Sequence, residues 1–140
     1  MGIFLDTGFY MALVDKNDPH YKKSLELLKT LKTGKYGQIL TSILVISETL
    51  TLVSVRTKNN TKALNNVREL LVGRKRFALI LRTNPEIEQK TMDLFVKRNS
   101  TAEDTMSYVD CSNIEFCKHN GLEYILSFDS HFDGWLKRIC

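Results

Sequence analysis

Four carboxylates stand out by where they occur: Asp6, Glu48, Asp110 and Asp129. Asp6 follows the apolar run Ile3-Phe4-Leu5, and Asp129 follows Tyr124-Ile125-Leu126-Ser127-Phe128. Both runs read as buried strands, which puts two acids at strand carboxyl ends, where ligands bind in open parallel α/β sheets. Glu48 lies within Leu44-Val45-Ile46-Ser47-Glu48-Thr49-Leu50, where an acid is costly to bury unless a cation or partner compensates it. Singly, each has an ordinary explanation. Asp6 can cap a helix, Asp129 can open a turn, Asp110 fits a Ser107-x-x-Asp110 capping box, and Glu48 can snorkel from a helix edge. Brought together, the four would repel one another and take up protons unless a hard divalent cation held them ionised. Oxygen-only ligation points to Mg²⁺ or Mn²⁺, with the remaining positions left to water and phosphate oxygens. That chemistry is phosphodiester hydrolysis.

The elements that must position these acids are punctuated in the sequence. After the first strand and a turn at Asp6-Thr7-Gly8, Asp18-Pro19 predicts a helix start and Gly34 its end, with Leu25, Leu28 and Leu31 at helical spacing. Gln38 to Thr41 reads as a strand, and Ser42 caps a helix running to Val55, although its β-branched residues leave a strand as the competing reading. Asn60 opens a helix closed by Gly73, Phe77 to Leu81 is strand-like, and Asn84-Pro85 starts a helix reaching about Arg98. Residues 99–105 read as a polar loop, Ser107 begins a helix ending at Asn120-Gly121, and the last strand follows. Strands alternating with helices predict a parallel or mostly parallel sheet covered on both faces.

Several other chemistries are excluded by spacing. His20, His119 and His131 are scattered and pair with no His or Cys at zinc-site spacing. No GxxxxGK[ST] loop, GxGxxG after the first strand, or GxSxG elbow occurs. Gly34-Lys35-Tyr36-Gly37 matches a GXXG clamp but joins a helix to a strand, the wrong context. The three cysteines, Cys111, Cys117 and Cys140, cannot all pair, which suits a reducing cytoplasm. No apolar run approaches the roughly 18 residues that suggest a membrane span, and no basic segment precedes an apolar stretch at the start.

The 140 residues favour one domain spanning 1–140, and their formal charge of +4 is unevenly spread. Residues 56–82 carry eight basic side chains against Glu69 alone, while residues 83–140 carry ten acidic and six basic. The central block, including Arg74, Lys75 and Arg76, reads either as a phosphate-contacting face or as a solvated helix surface.

Ile3-Phe4-Leu5-Asp6-Thr7, Ser47-Glu48, Ser107-Tyr108-Val109-Asp110-Cys111 and Ser127-Phe128-Asp129-Ser130-His131-Phe132 together resemble a PIN domain, and within that family VapC-type ribonucleases. The likeness runs from Ile3 to about Asp133. It implies a three-layer α/β/α sandwich in which Asp6, Glu48, Asp110 and Asp129 bind Mg²⁺ or Mn²⁺ and activate water to cut RNA, leaving 5′-phosphate and 3′-hydroxyl ends. It also implies toxin activity neutralised by a small antitoxin. Ser130 departs from relatives that often carry a basic residue there. Asp104 and Asp133 are close enough in sequence to contribute, and Thr7, Asn113 and Ser127 are candidate donors to the carboxylates. The helix from Pro19 to Gly34, with Tyr21, Leu25 and Leu28 on one side, is either core or the face of a homodimer or antitoxin groove. The competing functional readings are a non-catalytic RNA-binding or scaffold domain, a nuclease of RNA processing outside a toxin-antitoxin pair, and a phosphatase. The last lacks the second acid at Gly8 that such enzymes need.

Overall fold

The structure, a computed structural model, describes all 140 residues. Five strands form one parallel sheet: β1 (Gly2–Leu5), β2 (Gln38–Ser42), β3 (Leu79–Leu81), β4 (Tyr124–Leu126) and β5 (Lys137–Ile139), in the order β3-β2-β1-β4-β5. Six helices accompany them: α1 (Thr7–Val14), α2 (Tyr21–Lys32), α3 (Ile43–Arg56), α4 (Thr61–Leu71), α5 (Pro85–Thr101) and α6 (Tyr108–His119). Successive strand residues point to opposite faces, yet Ile3, Phe4 and Leu5 are all fully buried, so helices cover the central strand on both sides. This is the expected α/β/α sandwich. On one side, Phe4 stacks against Phe116 of α6 with ring centroids 6.2 Å apart.

The strand order creates the site. The chain moves outward from β1 through β2 to β3, then crosses to the other side of β1 to add β4 and β5. The carboxyl ends of β1 and β4 therefore flank the switch point, where an open sheet leaves a crevice. Asp6 N donates to Leu126 O (3.1 Å) and Thr41 Oγ1 donates to Leu5 O (3.0 Å), fixing these strand ends to one another.

Several boundaries differ from the sequence reading. Helix α2 begins at Tyr21, because Asp18 Oδ1 accepts from His20 N (2.8 Å) and places Asp18-Pro19 in a turn ahead of the helix. Its core face is Ser24, Leu27 and Leu31, whereas Leu25 is exposed. The segment after Ser42 is helical, the Ser42 side chain accepting from Val45 N. Helix α5 extends past Arg98 into the expected loop, and Asn99 on its last turn exchanges two hydrogen bonds with the Met106 backbone (2.8 and 3.0 Å). Strand β3 starts at Leu79, two residues late, and β4 stops at Leu126, before Ser127-Phe128. Strand β5 had no sequence signal: it is a three-residue edge strand opening with Lys137-Arg138, the charged, short kind that resists further pairing.

Candidate active site

Each of the four acids is delivered by a different element. Asp6 is the N-cap of α1, its Oδ1 accepting from Thr7 N at 2.8 Å. Glu48 lies on α3, half-buried. Asp110 is in the first turn of α6, whose N-cap Ser107 accepts from Asp110 N (3.1 Å). Asp129 caps a 3₁₀ turn over Ser130–Phe132, accepting from His131 N (2.9 Å). All four line one cleft of about 750 Å³ at the switch point, together with Thr7, Gly8, Ser107 and Ser130. The cleft's other wall holds Asp18, His20 and Arg56, and only Met11, Leu52 and Phe128 give it apolar surface.

Asp6 is the most enclosed, with 6% of its surface exposed. Its Oδ1 also accepts from Asn113 Nδ2 (3.1 Å), and its Oδ2 accepts from Ser127 Oγ (2.7 Å). The same Ser127 hydroxyl accepts from Asp129 N (3.0 Å), so one buried side chain orients two acids. Burial pushes the Asp6 carboxyl up to about 6, against the pull of the Ser127 and Thr7 hydrogen bonds and with a further push from Glu48 and Asp129. Burial, then the charges of Asp6, Asp129 and Glu48, push Asp110 up to about 7. These are carboxylates short of positive charge.

The arrangement fits a divalent cation. Asp110, Asp129 and His131 each bring a ligand atom within 4.8 Å of the others. Thr7 Oγ1 and Asn113 Oδ1, beside Asp6, are buried polar atoms without a protein partner, so the site carries unused oxygen donors as well as excess negative charge.

Scattered histidines looked inert in the sequence, but folding brings His131 to the acids. Its Nε2 lies 2.7 Å from Asp104 Oδ2, and its Nδ1 is buried without a hydrogen bond, 3.2 Å from Asp129 Oδ1. Asp104 also pairs with Arg98 (3.0 Å) and Asp133 with Arg138 (2.8 Å); neither acid lines the cleft. Of the central basic block only Arg56 does, held by Asp15 (3.2 Å) and Asp18 (3.0 Å). Arg74, Lys75 and Arg76 are exposed on the turn after α4, away from the cleft lining.

The PIN domain family profile matches residues 3–134. The chain belongs to the PIN domain family. Over 132 residues, covering 94% of this chain and 80% of the relative, it is 26% identical to a VapC ribonuclease of Archaeoglobus fulgidus. Among solved structures, this PIN domain superposes on Mycobacterium tuberculosis VapC20, described as a sarcin-ricin loop cleaving toxin, with a TM-score of 0.76 at 22% identity, covering 94% of this chain and 93% of that one. It superposes on VapBC2 from Rickettsia felis, solved with a DNA fragment from its promoter, with a TM-score of 0.68 at 15% identity, covering 99% and 98%. These likenesses show the shared fold.

Proposed function

We propose that this PIN domain is a metal-dependent endoribonuclease in which Asp6, Glu48, Asp110 and Asp129 hold Mg²⁺ or Mn²⁺. The supporting observation is the convergence of the four acids, from α1, α3, α6 and the turn after β4, on one cleft at the switch point. When bound, the divalent cation supplies Lewis-acid activation of water and charge neutralisation at the phosphodiester. The chain's own part is positional. Ser127, Asn113 and the Thr7 amide hold the Asp6 carboxylate from three directions, leaving it little freedom to turn away. Arg56 supplies positive charge on a wall that would otherwise repel a phosphate. With water as nucleophile, the expected products carry 5′-phosphate and 3′-hydroxyl ends.

The names of the relatives extend this reading. A VapC ribonuclease and a toxin that cleaves the sarcin-ricin loop are among the proteins it resembles, and we assign this chain to the same class: a ribonuclease toxin paired with a small antitoxin. A homodimer is part of this proposal, with the exposed Leu25 on α2 and Val55 on α3 as its candidate apolar contacts. No helix is long and apolar enough to cross a membrane, and a cytoplasmic site of action follows from an RNA substrate.

The test is cleavage of a structured RNA by the purified protein with Mg²⁺ or Mn²⁺, abolished by EDTA. Asp6→Asn and Asp110→Asn abolish cleavage while the fold persists. Full activity in either variant overturns the assignment, and an inert wild-type protein that still binds RNA returns it to a scaffold role.

A further inference from the structure

One wall of the cleft carries a feature that the metal chemistry does not use. The rings of His20 and Phe128 lie face to face, with centroids 4.1 Å apart and planes within 5° of parallel. They come from segments far apart in the chain: His20 from the α1–α2 connection, Phe128 from the segment after β4. Phe128 also borders Gly8, where an added Cβ would lie 4.0 Å from the edge of its ring. His20 is exposed and forms the open end of this column.

The column is braced. Asp18 Oδ1 accepts from His20 N (2.8 Å), while Asp18 Oδ2 accepts from Arg56 Nη1 (3.0 Å). Ser24 N donates to His20 O (2.8 Å), tying the same residue to the first turn of α2. A single acid thus ties the loop that presents the imidazole to the helix carrying both Arg56 and Glu48. Only Nη1 of Arg56 is engaged by the two acids, which leaves its Nε and Nη2 without a partner in the protein and available as donors to a phosphate.

An aromatic surface with one free face, next to a free guanidinium edge and within a cleft of carboxylates, matches the chemistry of an unpaired nucleotide. Every base has a π-face, so stacking needs no particular sequence, and the Arg edge takes the adjoining phosphate. A base within a duplex offers no such face, its neighbours being stacked on it already. Resting on the ribonuclease reading above, we propose that His20 and Phe128 form a base-stacking subsite that binds an unpaired nucleotide next to the scissile phosphate, with Arg56 on that nucleotide's phosphate.

The experiment uses the full chain carrying Asp110→Asn and a single-stranded RNA hexamer with a central 2-aminopurine, in Mg²⁺. Stacking quenches the probe and raises its affinity. His20→Ala, an exposed position that leaves the fold intact, weakens binding about tenfold and removes the quenching; His20→Tyr restores both. Replacing the central base with an abasic site weakens binding to the parent by a similar factor and has no further effect on His20→Ala. Equal affinity and quenching in the parent and His20→Ala, or failure of His20→Tyr to rescue, overturns the subsite. Cleavage of natural RNA by the wild-type protein is measured separately: its absence sinks the ribonuclease reading, whereas its presence without a His20 effect sinks only the subsite.

Discussion

The Ser127 hydroxyl donates to Asp6 Oδ2 at 2.7 Å while accepting from Asp129 N at 3.0 Å. This buried side chain links the acid that ends β1 to the one that follows β4, and sets the relative orientation of two proposed metal ligands. Ser127→Ala leaves Asp6 Oδ2 without its donor and removes one of the three hydrogen bonds that favour its ionised carboxylate. Outer partners of metal ligands are commonly worth 10–100-fold in metal affinity. The expected outcome is a loss of Mn²⁺ affinity of about that size by calorimetry, in a variant that melts cooperatively in EDTA. Unchanged affinity would show that Ser127 only fills space.

The metal-free protein is strained by its own charges. Asp6 and Asp110 hold protons up to about pH 6 and 7, whereas the unfolded chain releases them near the ordinary value of 3.8. Between these limits the folded state binds more protons than the unfolded state. Stability therefore falls as pH rises from about 4 to about 7, then levels off. In EDTA the melting temperature is expected to be lower at pH 7.5 than at pH 5, and Asp110→Asn to reduce the difference. At pH 7.5 that variant melts about 5 °C or more above wild type. Added Mg²⁺ or Mn²⁺ raises the wild-type melting temperature at pH 7.5 and has much less effect on the variant. A flat profile in wild type would mean that the acids are already neutralised within the protein.

How much of this was legible in the sequence differs residue by residue. Asp6 could be read because a β-branched and aromatic run ends on it, and Glu48 because an acid within an apolar helix demands compensation. Ser107 and Asn84 marked their helices through local capping, and both cap as expected. His20 and His131 were not legible as site residues, and Arg56 was legible only as one member of the basic block. Arg56 reaches Asp15 and Asp18 across 41 and 38 positions, and His131 meets Asp104 across 27. The first pairing comes from the packing of α3 against α1 and the turn after it, and the second from the turn after β4 folding back on the loop between α5 and α6, neither of them a local pattern. Strand β5 was missed for a different reason: its pairing with β4 supplies the order that its Lys137-Arg138-Ile139 composition does not announce.

Arg74, Lys75 and Arg76 test whether RNA extends beyond the cleft. All three are exposed, and none forms an ion pair within the protein, so they are free to meet phosphates. Replacing the three with alanine is expected to weaken binding about equally across RNA sequences. It should also flatten the dependence of log affinity on log salt by about 2, near 0.7 for each single-strand phosphate no longer neutralised. Cleavage measured at saturating RNA is the control. An unchanged slope makes this turn an ordinary solvated surface, and leaves Arg56 as the cation of the central block that serves the site.

His131 bears on which ion the site prefers. Its Nδ1 is buried, makes no hydrogen bond and lies 3.2 Å from Asp129 Oδ1, and a ring nitrogen of His131 lies within 4.8 Å of ligand oxygens of both Asp110 and Asp129. Asp104 holds the opposite ring nitrogen at 2.7 Å, the carboxylate-to-imidazole pairing that fixes ring orientation in metal sites. Mg²⁺ favours oxygen and keeps several waters, whereas Mn²⁺ accepts an imidazole nitrogen more readily. If Nδ1 joins the donor set, His131→Ala weakens Mn²⁺ about tenfold or more and changes Mg²⁺ little, narrowing the gap between the two in calorimetric titrations. In the wild-type protein loaded with Mn²⁺, pulsed electron paramagnetic resonance should show coupling to a nitrogen that disappears in the variant. Asp104→Ala, which frees the ring without removing it, should produce a smaller version of the same loss. If both ions weaken equally and no nitrogen coupling is seen, His131 acts only through Asp104 and Asp129, and the cation is held by oxygen alone.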